Sequence, residues 1–77
     1  MKTLGVIKLA ISYKRLWKLL IDREMSKKQL EVKAHLSSST IAKMNKSQGV
    51  TTTTLERICR VLDCRIEDVV EIVPDKE

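Results

Sequence analysis

Between Ser26 and Lys46 the sequence SKKQLEVKAHLSSSTIAKMNK starts two helices only eleven residues apart. Ser26-Lys27-Lys28-Gln29 has the S-x-x-Q form of a capping box, in which the serine hydroxyl accepts from the Gln29 N–H and the glutamine side chain reaches back. This predicts a helix over Lys27–Ala34. His35-Leu36-Ser37 then breaks the chain, and Ser37 can cap a second helix over Ser38–Lys46. Two helices of roughly two turns each, joined by three residues, cannot bury much surface on their own. Other helices must stand behind them. The rest of the sequence must form that backing.

It supplies three further helical segments. Ser12 can cap a helix over Tyr13–Glu24, where Leu16, Trp17, Leu20 and Ile21 recur at one-face spacing with Leu19 alongside. Four threonines, Thr51 to Thr54, precede Leu55, Ile58, Cys59 and Leu62 at i, i+3, i+4 and i+7, and Thr53 with Glu56 fits a second capping box. Beyond the break at Asp63-Cys64-Arg65, Ile66, Val69 and Val70 fit a short fifth helix with Glu67 and Asp68 in its first turn. A short strand is expected over Val6–Ile11, and another over Glu71–Val73 before Pro74. The chain has one Trp, one Tyr and no Phe, so Leu, Ile, Val, Met and Ala must build the core, and two Gly and one Pro favour helices over a many-stranded sheet. The expected core of the helix pair is Leu30, Ala34, Leu36, Ile41 and Met44, and Met25 is a filler. The fold class is all-α: one domain over 1–77, with a helical core over 12–70, an N-terminal extension or short strand over 1–11 and a C-terminal segment over 71–77.

If that inward set holds, the opposite face of the Ser38–Lys46 helix is free. It carries Ser39, Ala42, Lys43 and Lys46, which are small or basic, and no acid. A helix whose outward residues are neither bulky nor negative can enter a major groove. Charge points the same way. Residues 1–50 hold eleven Lys/Arg against three acids, and residues 51–77 hold four against seven. A basic N-terminal part suits a polyanionic partner.

In these segments, Ser26 to Val70 together with SYKRLWKLLIDREM, the sequence resembles the Xre/Cro-repressor family of helix-turn-helix domains over about three quarters of its length. The order Leu30, Leu36-Ser37, Ile41, Met44, Leu55, Ile58, Leu62, Ile66 looks like the family's apolar skeleton. Glu31 stands where the family usually has Ala, and His35 where it usually has Gly in the turn. The resemblance implies a five-helix, lambda-repressor-like domain that binds double-stranded DNA as a transcriptional regulator, most often a repressor. It implies base contacts from Ser38, Ser39 and Lys43. It implies phosphate contacts from Lys27, Lys28, Lys46 and the Thr51, Thr52 and Thr53 region. One such helix reads few base pairs, so a homodimer on two half-sites about 34–36 Å apart is expected. Its surface would lie in the terminal segments, Val6–Ile11 pairing with Ile72–Val73, or on the apolar residues of the fifth helix.

Other functions find less support. A single His and two Cys give at most three soft ligands on separate elements, so neither an enzyme nor a metal site is expected, nor any cofactor or small-molecule ligand. Cys59 and Cys64 are read as reduced thiols in a cytoplasmic protein. Leu4–Ile11 is interrupted by Lys8 and too short to cross a bilayer. The main rival is a protein–protein interaction module on the same scaffold, antitoxin-like, with weak or lost DNA binding.

Overall fold

The computed structural model describes residues 9–75. In chain order these form strand β1 (Leu9–Ser12), helices α1 (Lys14–Asp22), α2 (Lys27–Lys33), α3 (Ser38–Asn45) and α4 (Thr52–Leu62), a 3-10 turn at Ile66–Asp68, and strand β2 (Glu71–Pro74). The strands pair antiparallel within the chain, with Ala10 opposite Val73 and Ile11 opposite Ile72. A small two-stranded sheet, made of the two short terminal strands that the sequence suggested, therefore closes the helical domain. The part of the expected first strand before Lys8, and Lys8 itself, lies outside the described residues. The pairing expected between copies is made instead inside one chain.

The core follows the apolar periodicity closely on α4, where Leu55, Ile58 and Leu62 are buried. They meet Leu16 and Leu20 of α1, Leu30 and Ala34 at the end of α2, Ile41 and Met44 of α3, and Val69. On α1 the apolar stripe is narrower than its spacing suggested. Trp17 is half-buried and Ile21 is 74 % exposed. Leu36, Met25 and Cys59 are also half-buried, packed against the core edge.

Caps explain where the helices begin. The Ser26–Gln29 capping box is formed, with bonds of 3.0 and 2.8 Å. Ser37 accepts from the Thr40 N–H at 3.1 Å. Two other expected caps are corrected. Ser12 ends β1, and its hydroxyl accepts from the Lys14 N–H while Tyr13 stands at the helix start without a side-chain cap. Helix α4 is capped by Thr51, which accepts from Thr54, rather than by Thr53 with Glu56. Starting there keeps Leu55 inward, and Glu56 is left to pair with Arg60 at 2.7 Å.

The helix ends share one device. Glu24, His35, Ser47 and Asp63 all have positive φ, between 50° and 59°. In each case the next residue donates its N–H back across the turn: Met25 to Leu20, Leu36 to Glu31, Gln48 to Lys43 and Cys64 to Cys59. These are Schellman closures made without glycine. The expected fifth helix is reduced to the 3-10 turn. Arg65 enters extended, and the Asp68 carboxylate accepts from the Arg65 N–H at 3.0 Å. Past Val69, which still belongs to the turn, the β-branched residues Val70, Ile72 and Val73 favour an extended path, and the chain needs it to pair with β1.

Candidate nucleic-acid interface

Helix α3 rests on the core through Ile41 and Met44, and its other side faces solvent. Ser38, Ser39, Ala42, Lys43, Asn45 and Lys46 are all exposed. No acid lies in the first turn of α2, α3 or α4. The positive ends of these helix dipoles are thus not neutralised from within. Among the described residues no side chain pairs with Lys43, which leaves its ammonium available. Ser39 shares a hydrogen bond of 2.9 Å with the Ser37 hydroxyl. Ser38 is exposed, and the cap is made by Ser37.

The start of α4 flanks this face. Lys43 and Thr40 of α3 line a shallow depression with Gly49, Val50, Thr51 and Thr54. The loop between them is held from behind: the Tyr13 hydroxyl, on a nearly buried ring, donates to the Gln48 carbonyl at 2.7 Å. Burial raises the Tyr13 pKa, so the phenol stays a donor at neutral pH. Thr51 spends its hydroxyl on Thr54, whereas Thr52 and Thr53 present theirs outward with the N–H groups of the first turn. Lys46 stands at the C-terminal end of α3 and is exposed.

The two lysines of α2 differ. The Lys27 Nζ donates to the Asn45 Oδ1 at 2.6 Å and lies 4.1 Å above the Trp17 ring centroid. It ties α1, α2 and α3 together, a contact invisible to spacing because it joins residues from three elements. Lys28 is exposed and, among the described residues, pairs only with Glu31, at 3.5 Å. Glu31, where a small residue was expected, is half-buried and lies along α2 under that lysine. His35 takes the left-handed turn position that glycine usually fills, and its carbonyl accepts from Arg57 at 3.3 Å.

Sequence reading missed Asn45, which is exposed beside Lys27. It also missed a cleft on another part of the surface, lined by Lys33, Ala34, His35, Arg57, Arg60 and Val61. Those charges come from two helices and the turn, and only packing brings them together.

A serine-capped helix, a left-handed turn and a second helix with an open, acid-free face define a helix-turn-helix domain of the kind that reads DNA. The family profile of the Cro/C1-type HTH DNA-binding domain matches residues 15–75, and the chain belongs to that family. Among solved structures it is similar to the transcriptional regulator VanUg, in its second crystal form, at 40 % identity and a TM-score of 0.86, over 97 % of this chain and 100 % of that one. Comparison with curated proteins finds no match. Among the described residues, no helix is long and apolar enough to cross a membrane.

Proposed function

We propose that the chain is a sequence-specific regulator of transcription that binds duplex DNA as a homodimer, with α3 in the major groove. The observation that supports this best is the open face of α3, basic and acid-free, beside the unneutralised start of α4. In this reading Lys43 donates to guanine O6 and N7, and Ser38 and Ser39 make less selective contacts with base edges. Lys28, Lys46 and the Thr52–Thr53 turn hold phosphates, with Thr51 shaping that turn. Lys27 contributes charge from its place over Trp17. Repression is the simplest outcome, because occupying a promoter duplex is enough to exclude other proteins from it.

Salt dependence separates this reading from a protein-binding scaffold. Affinity for a selected duplex should fall steeply with salt concentration. Lys28→Ala should flatten the slope by about one unit at all sequences. Its ammonium is exposed, so the fold should be unaffected. Anisotropy titrations at several salt concentrations measure this. Retention on DNA that is insensitive to both salt and Lys28 would favour the protein-partner reading.

The dimer would use the outer face of the sheet. Leu9, Ile72 and Pro74 are exposed on one side by register, Leu9 and Ile72 at 60 % and 58 %, while Ile11 packs inward against the core. Ile72→Asp should weaken self-association roughly tenfold or more, because a carboxylate would be buried at an apolar contact. Sedimentation velocity reads this directly. A wild-type chain that stays monomeric at high concentration would exclude the dimer.

A further inference from the structure

The four helix closures differ in which side chains they bring together. The residue after the left-handed position and the residue whose carbonyl it reaches are brought side by side, commonly as an apolar contact. In α1 this pair is Leu20 and Met25, in α2 Glu31 and Leu36, and in α3 Lys43 and Gln48. In α4 both members are cysteines. Asp63 turns at φ 50°, and the Cys64 N–H donates to the Cys59 carbonyl at 3.1 Å. This closure sets the two side chains next to one another. Both are half-buried at the core edge, so each keeps one side open to a small reagent.

We propose that Cys59 and Cys64 form a reversible disulfide when a hydroperoxide is present. The Cys59 thiolate attacks the peroxide, forming an S–O bond as the O–O bond breaks, and water or an alcohol leaves after protonation. Cys64 then gives up its proton and attacks the sulfenic sulfur. The S–S bond forms as the S–O bond breaks, and water leaves. Two thiols are oxidised by two electrons, and one hydroperoxide is reduced. The order of attack follows from the surroundings. Burial first, and the Cys59 sulfur second, push the Cys64 thiol up to about 11. A thiol held protonated is a poor first nucleophile, which leaves Cys64 as the resolving partner.

The bond would close a short loop containing Leu62, whose carbonyl accepts from Arg23 at 2.6 Å. It would fix the corner where α4 hands over to the 3-10 turn and β2. Thr51 to Thr53 lie at the far end of α4, roughly 15 Å away by helical rise. The lock should therefore change stability and leave DNA contacts unchanged, and it stands whether or not the DNA reading holds.

The test uses the full reduced chain treated with hydrogen peroxide. Peptide mapping should find a Cys59–Cys64 link in the monomer that dithiothreitol reverses. Equilibrated with glutathione buffers, the native chain should show an effective thiol concentration roughly tenfold or more above that in urea. By linkage, the thermal midpoint of the oxidised form should rise. Neither Cys59→Ser nor Cys64→Ser should form a link within the monomer. Sulfinic acid at Cys59 with Cys64 free, links only between molecules, or equal effective concentrations in urea and buffer would each overturn the proposal.

Discussion

Replacing Glu24, His35, Ser47 and Asp63 together by glycine should raise the unfolding free energy by about 2–4 kcal/mol. All four residues sit at positive φ at the close of a helix. An L-residue there pays about 1–2 kcal/mol in steric strain that glycine avoids. Glycine gives back part of that gain, about 0.5–1 kcal/mol, by loosening the unfolded chain. A net gain of about 0.5–1 kcal/mol at each site follows, and the combined figure takes the four as independent. No side-chain hydrogen bond among the described residues is lost. Glu24 and Asp63 also place carboxylates at the negative ends of α1 and α4, so their removal helps slightly. Urea titration of the four single variants and the combined one measures this. Unchanged or lowered midpoints would mean that the left-handed turns are not what limits stability.

Lys43→Glu should weaken binding to a selected duplex roughly hundredfold while leaving the fold intact. Losing a base-reading lysine costs about 1–3 kcal/mol, and a carboxylate facing the phosphate-lined groove adds repulsion of comparable size. The residue is exposed and unpaired among the described residues, and its neighbours inward are Ile41 and Met44, which do not change. Its place in the last turn of α3 makes the substitution mildly unfavourable for the helix, by about 0.5 kcal/mol. Circular dichroism should therefore show a folded chain with a slightly lower midpoint. Full binding by a folded Lys43→Glu chain would remove Lys43 from the interface.

What the sequence made legible was local. The Ser26 box, the Ser37 cap and the α4 core stripe depend on residues three or four apart, and each was found where spacing put it. The open face of α3 followed from the same periodicity. Less legible was anything settled by competition between neighbours or by distant parts of the chain. Four consecutive threonines could each cap α4, and the burial of Leu55 decided for Thr51. The helix expected at Ile66–Val70 gave way to a 3-10 turn because β2 had to reach β1, a pairing between opposite ends of the chain. Although the chain has only two glycines, every helix among the described residues closes in the left-handed region on a non-glycine residue. Of these only His35 was anticipated. The Lys27–Trp17–Asn45 contact and the Lys33–Arg57–Arg60 cleft need three-dimensional packing and have no signature in spacing.

The most direct test of the interface is to follow backbone amide shifts of the isotope-labelled chain while a duplex recovered by selection is added. The largest changes should fall on Ser38, Ser39, Lys43 and Lys46, with a second group at Thr51 to Thr53, and the amides of β1 and β2 should barely move. Changes centred on the Lys33, Arg57 and Arg60 cleft or on the sheet, with the amides of α3 undisturbed, would contradict it.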